Sequence, residues 1–130
     1  MEIAAFGEEH LAAVLRLCEA EGWPTLPTDP DRAMRALTAP GVVSLVAVEG
    51  GGVVGFAYLL TDGEIEAYLS LLVVAGHVRR RGIGRALVDE AFARSGAQRL
   101  DLLSAAESEG FYRSYKHRTF AGYRIYPVAG

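Results

Sequence analysis

The amino-acid sequence predicts a single α/β domain over residues 1–130. Its sheet is twisted and mostly antiparallel, with one parallel strand pair at its centre and helices on both faces. Three observations lead there. Strand-like runs at residues 42–49, 53–60 and 65–74 follow one another across the short turns Gly50-Gly51-Gly52 and Asp62-Gly63, the pattern of an antiparallel meander. The third run is followed by a helical pattern and then by another strand-like run at 99–103, and such a crossover lays its two strands parallel. Segments of helical period also precede the meander.

Taken in order, residues 2–6 read as a short first strand. Glu8 and Glu9 open a helix, because negative charge is favoured at a helix N-terminus. Leu11, Val14, Leu15 and Cys18 form its apolar stripe and Gly22 its stop. On that stripe Cys18 reads as core packing rather than as a reactive thiol. A loop stiffened by Pro24 and Pro27 follows. Asp29 before Pro30 reads as an N-cap with proline at the first helical position, opening a second helix that runs to about Thr38.

After the meander, Ile83, Leu87, Val88, Ala91 and Phe92 fall on one face of a helix, while Arg85 with Asp89 and Glu90 with Arg94 stand four apart on the other. This helix ends near Ser95-Gly96. Ser104-Ala105-Ala106-Glu107 reads as a capping box that opens a last helix carrying Phe111, Tyr112 and Tyr115. Residues 119–128, with Tyr123, Ile125 and Tyr126, read as a final strand.

Composition narrows the function classes. Thirteen basic residues against sixteen acidic ones leave a net charge of −3, unlike a general nucleic-acid binder, which is usually basic overall. The basic charge is concentrated at Arg79, Arg80 and Arg81, which suits a small polyanion. One cysteine allows no internal disulfide and fits a reducing cytoplasm. No apolar stretch reaches the ~18 residues a membrane span requires, and Met1-Glu2-Ile3 lacks the basic start of a signal peptide. The expectation is therefore a cytoplasmic protein that acts on neither nucleic acid nor membrane. His77 stands alone, with no second histidine or cysteine at ligand spacing, so no metal is expected.

The chemistry-bearing stretch runs from Val74 to Leu87, where a buried strand passes through a basic loop with glycines into a helix. The first turn of a helix has backbone N–H groups without internal partners, and its dipole adds partial positive charge there. Such an end binds phosphates. Gly82 and Gly84 leave the backbone open to a close approach. On its own, a triple arginine reads equally well as a solvated charge run. The stronger phosphate signatures, GxxxxGK[ST] and GxGxxG, are absent.

The residues from Val74 through Arg79-Arg80-Arg81-Gly82-Ile83-Gly84-Arg85-Ala86-Leu87 resemble the acetyl-CoA-binding motif of the GNAT N-acetyltransferase superfamily, [QR]-x-x-G-x-[GA]. Arg79, Gly82 and Gly84 stand at its fixed positions. Phe111-Tyr112 and Tyr123-Arg124 match a second stretch of that family, and the resemblance covers roughly residues 42–126. It implies acetyl-CoA as co-substrate, with the pyrophosphate held at Arg79, Arg80, Arg81, Gly82, Ile83, Gly84 and Arg85. It also implies a bulge late in the central strand, with backbone groups of Leu72, Val73 and Val74 turned toward the pantetheine arm. Two positions depart from the family: Ala105 replaces a common asparagine, and Lys116-His117 replace Gly-Phe.

The resemblance implies N-acetylation of a primary amine on a small molecule, peptide or protein, by direct attack in a ternary complex. On spacing alone Tyr112 packs in the core; with the resemblance it becomes the general acid. A phenol with a pKa of about 10 stays protonated at neutral pH and can donate to a departing thiolate. An amine with a pKa of about 10.4 must lose a proton first. Alternation along the strand offers Glu64 or Glu66 as base through water, and both read equally as solvated hairpin charges. Trp23 and Tyr68 are candidates to line the acceptor pocket. A catalytically weak acyl-CoA sensor is the rival that Ala105 and Lys116-His117 favour. Monomer and homodimer both remain open, the tail being able to pair across a dimer.

Overall fold

The computed structural model describes residues 1–128. Five strands form one sheet in sequential order: β1 (Glu2–Ala5), β2 (Val42–Glu49), β3 (Gly52–Thr61), β4 (Glu66–Val74) and β5 (Arg99–Leu102). The first four pair antiparallel, and β4 and β5 pair parallel. The helices are α1 (Leu11–Ala20), α2 (Pro30–Leu37), α3 (Ile83–Ser95) and α4 (Glu109–Arg113), with short 3₁₀ turns leading into α1 and α4. This is the expected fold class, with α3 as the crossover between the parallel strands.

Local chemistry accounts for the element ends. Gly50 and Gly51 take φ of 59° and 81°, the two positive values that a tight type I′ hairpin between β2 and β3 requires. The Asp29 carboxylate accepts the Arg32 N–H at 3.1 Å, with Pro30 just inside α2. Gly82 and Gly96, at φ of 82° and 72°, bracket α3.

The sheet is covered on both faces. A Cβ on Gly55 of β3 would stand 2.8 Å from Leu87 Cδ1 and 3.2 Å from Ile83 Cγ2, so that face lies directly under α3. Its neighbour Phe56 points the other way, fully buried, with its ring centroid 6.3 Å from that of Phe6. Helix α1 packs against β3 and β4 and contributes Val14, Leu17 and Cys18 to the core. Leu17 belongs to this buried set, whereas the expected stripe residues Leu11 and Leu15 are only half-buried. Burial pushes the Cys18 thiol up to about 11, as expected of a packing cysteine.

Two expectations are corrected. No final strand forms: residues 117–128 carry neither helix nor strand, and Phe120, Tyr123, Ile125, Tyr126 and Val128 are exposed. A strand exists only through its ladder partner, and the described tail joins no ladder; its Gly122 lies against Leu103, just past the end of β5. The parallel pair therefore sits at one margin of the five strands, with β5 outermost. Nor does the capping box form. Ser104 Oγ donates to the Ala105 carbonyl at 2.9 Å, and the chain enters a 3₁₀ turn at Ala106, so Ser104 stands one residue too early to cap it.

Candidate functional site

Strand β4 is where the sheet is interrupted. Against β3, Tyr58 faces Leu71 and Leu59 faces Leu69, so Ser70 is an extra residue and forms a bulge. Against β5, pairing runs only from Glu66↔Arg99 to Leu69↔Leu102. From Ser70 onward β4 keeps β3 on one side and has no strand on the other. Leu72, Val73 and Val74 thus lie along a sheet edge that opens beside the parallel pair. The crevice there is lined by Trp23, residues 69–72, residues 103–105, Ser108 and Tyr112, and encloses about 40 Å³. It brings together four residues singled out in the sequence, Trp23, Leu72, Ala105 and Tyr112. Leu103 and Ser108 join them with no prior signal, and Ser104, read in the sequence as a cap, lines the crevice instead.

The loop after β4 is tethered from below by Val78, 3% exposed within the core. Above it the backbone is strained: Arg80 takes φ +66°, the one positive value among the described non-glycine residues. Such a residue costs of order 1–3 kcal/mol and persists where its surroundings over-determine it. Gly82 follows at φ +82°, with open space where a Cβ would be. It is the N-cap of α3 and brings no side-chain hydrogen bond, so the first-turn amides of Ile83, Gly84 and Arg85 have no side-chain cap. Gly84 serves differently. Its missing Cβ would lie 3.5 Å from Val74, 3.7 Å from Leu72 and 3.7 Å from Phe111, ordinary contact distances that seat α3 against β4 and α4.

The arginines are not a free cloud of charge. Arg79 pairs with Glu21, at the end of α1, and its Nε donates to the Val74 carbonyl at 3.4 Å. The same glutamate accepts the Gly76 N–H at 3.2 Å. Arg81 makes a two-pronged pair with Glu49, at 2.8 and 2.6 Å, which holds the Glu49 carboxyl below its usual range. Arg85 turns toward α4: its Nη1 donates to Ser114 Oγ at 2.9 Å and its guanidinium lies 4.0 Å from the centre of the Tyr115 ring. Among the described residues Arg80 makes no ion pair. The partners Glu21 and Glu49 carried no signal in the sequence, since they lie 58 and 32 residues away from the arginines they engage.

Tyr112 is half-buried, and burial raises its phenol above the ordinary value. Its ring stands edge-on to Phe111 at 4.9 Å, and its hydroxyl has no hydrogen-bond partner among the described residues. Tyr115, one turn on, is committed elsewhere. Its hydroxyl donates to Asp89 at 3.1 Å, and burial together with that carboxylate pushes it up to about 12.

Glu66 and Tyr68 lie apart from the crevice. With Leu60, Asp62, Ala67 and Asp101 they line a second, more open cavity of about 260 Å³ near the start of β4. Glu66 pairs with Arg99 there. Glu64 is exposed in the turn before β4, which Asp62 shapes by accepting the N–H groups of Glu64, Ile65 and Glu66. Tyr68 and Trp23, expected to share one pocket, therefore line two.

Comparison with known proteins fits this geometry. A 71-residue stretch is 39% identical to mycothiol acetyltransferase of Mycobacteroides abscessus. It covers 52% of this chain and 24% of that protein, so the match spans about a quarter of the relative. A putative acetyltransferase from Agrobacterium tumefaciens superposes with a TM-score of 0.80 at 23% identity, covering 98% of this chain and all of that one. An aminoglycoside 6'-N-acetyltransferase from Acinetobacter haemolyticus superposes with a TM-score of 0.81 at 16% identity, covering 99% and 100%. These two likenesses show the fold. Residues 40–116, more than half of the chain, match the acetyltransferase (GNAT) domain family, and they contain the bulged strand, the uncapped helix end and Tyr112. The chain belongs to the GNAT acetyltransferase family.

Proposed function

We propose that this chain transfers an acetyl group from acetyl-CoA to a primary amine. One observation carries the reading: an uncapped helix N-terminus opened by Gly82 follows directly on a strand that loses its parallel neighbour at Ser70, and Tyr112 lines the crevice so formed. The amides of residues 80–84 fit a pyrophosphate, since Gly82 puts no side chain in the way. The unpaired edge of Leu72, Val73 and Val74 fits an extended amide-bearing arm, which adds to a sheet edge as a strand does.

In the proposed reaction the amine nitrogen attacks the thioester carbon; the C–N bond forms and the C–S bond breaks. Tyr112 donates its proton to the departing sulfur, and its raised pKa keeps that proton in place at neutral pH. A proton from the amine leaves along a water chain to Glu64 or Glu66, both of which lie outside the crevice, Glu66 in the other cavity and paired with Arg99. Holding the two reactants together supplies much of the remaining acceleration.

The named relatives are a mycothiol acetyltransferase and an aminoglycoside 6'-N-acetyltransferase, and the second supports an amine acceptor without choosing one. Ala105, which lines the crevice with a bare methyl, favours a second reading as an acyl-CoA-binding sensor. Thiol release from acetyl-CoA against a panel of amines, with mass spectrometry of the products, decides between them. An acetylated product supports transfer; binding without thiol release supports the sensor.

A further inference from the structure

We propose that Glu21 is a positioning residue for the pyrophosphate site, acting through Arg79 and the Gly76 amide to hold the loop between β4 and α3 in shape for its ligand. This inference rests on the acetyl-CoA reading of that site. Glu21 closes α1, and its carboxylate reaches a loop 55 residues further along the chain. One oxygen accepts the Gly76 N–H at 3.2 Å, and the other pairs with Arg79. Arg79 in turn donates from Nε to the Val74 carbonyl at 3.4 Å, so its guanidinium is turned back toward the end of β4. A single carboxylate thus ties the loop both at its start and at Arg79. Glu21 is the secluded partner, its side chain 18% exposed against 60% for Arg79, and a pair partly shielded from water is screened less by salt.

The order of fixed points gives the tether its use. Ala75 donates its N–H to the Val54 carbonyl at 2.9 Å, and Val78 is buried in the core. Arg79 is then the last anchored residue before Arg80, whose φ of +66° persists only where its surroundings hold it. Beyond Arg80, Arg81 is paired with Glu49. The strained residue is therefore held between one glutamate from the end of α1 and one from the end of β2. The two glutamates differ in what they grip. The Glu49 carboxylate engages the Arg81 guanidinium and, among the described residues, no backbone N–H, so its loss frees a cation. Glu21 grips backbone as well as side chain, so its loss frees the loop. Arg79 accordingly serves as a strut and not as a phosphate ligand. Trp23 does not depend on this carboxylate. Its N–H donates to the Cys18 carbonyl at 2.8 Å, past Gly22 at φ +83°, so that wall of the crevice should stay in place without the Glu21 side chain.

The test is CoA affinity by calorimetry at two salt concentrations, on the full chain and on variants shown by circular dichroism to be folded. Glu21→Ala should weaken CoA binding by about ten-fold, within the range for groups that share one network. Glu21→Asp keeps the charge and shortens the reach; it should weaken binding too, and it serves alone should the alanine variant fail to fold. Arg79→Ala should cost about as much as Glu21→Ala, and the double variant no more than either, because both act through one tether. The double variant removes one charge of each sign, so its binding should keep the parental dependence on salt. A purely structural role would lower the melting temperature and leave the affinity of the folded variants unchanged. Unchanged or tighter binding in the Glu21 variants overturns the proposal, the carboxylate then only masking Arg79. Additive losses with a flatter salt dependence overturn it as well, making Arg79 a phosphate ligand. A parent chain that does not bind CoA removes the acetyl-CoA reading itself and this inference with it, so the two failures are told apart.

Discussion

The guanidinium of Arg85 lies 4.0 Å from the centre of the Tyr115 ring, and so ties α3, whose N-terminus is the proposed pyrophosphate site, to α4, which carries Tyr112. Ser114 and Asp89 complete the clasp, the first accepting from Arg85 and the second from Tyr115. Helix α4 has five residues and could not hold its place by helical propensity alone. Arg85→Ala is therefore expected to lower turnover more than CoA affinity. Its stability cost should be about 0.5–1 kcal/mol, the value of an exposed cation–π contact. Steady-state kinetics beside calorimetry and a thermal melt check all three; a loss confined to affinity would return Arg85 to the phosphate.

Gly82 is the position in the proposed pyrophosphate site where positive φ favours glycine. At φ +82° an L-residue costs roughly 1–2 kcal/mol, and an aspartate adds negative charge where phosphate is to sit. Gly82→Asp should abolish measurable CoA binding in a protein that still folds. Calorimetry on the folded variant reads this, and parental affinity would contradict the cradle.

Tyr112→Phe removes one hydroxyl and keeps the Phe111 ring contact. Turnover should fall by roughly 10²–10⁴-fold, as for a lost general acid, with CoA affinity unchanged. Because burial raises this phenol, the parent enzyme should keep its acid form throughout the neutral and mildly alkaline range. A pH profile of kcat that falls earlier on the alkaline side would point to another group.

Glu49 holds Arg81, and Arg81 in turn depresses the Glu49 carboxyl. A depressed carboxyl keeps its pair above the unfolded value and loses it as pH falls through the folded one, so the pair persists throughout the neutral range. Glu49→Gln frees the guanidinium and removes a negative charge near the proposed pyrophosphate site. CoA affinity should rise by a few-fold at most, since an exposed pair is weak. Titration at two salt concentrations should show that gain shrinking as salt rises.

Cys18 is fully buried, and its thiol is raised to about 11. It should resist an aromatic disulfide reagent at pH 8 in the native protein and react at once in denaturant. Rapid native labelling would place the thiol at a mobile surface.

How far the sequence reached follows from the range of each interaction. Local signals held: the Asp29-Pro30 cap, the glycine hairpin, the α3 stripe of Ile83, Leu87, Val88 and Ala91, and the Gly82 opening are all written within a few residues of where they act. The order of strands followed as well, because short turns leave an antiparallel meander and a helical crossover leaves a parallel pair. The motif from Val74 to Leu87 was legible because strand, loop and helix are contiguous. The engagement of Arg79 by Glu21 and of Arg81 by Glu49 was not, since each joins segments that only the folded sheet brings together. The same holds for the division of Trp23 and Tyr68 between two cavities, which depends on where β4 loses β5. The tail makes the contrast plainest. Its aromatic and β-branched residues mark a strand, but a strand also needs a neighbour to bond, and only the tertiary structure shows that the described tail joins no ladder.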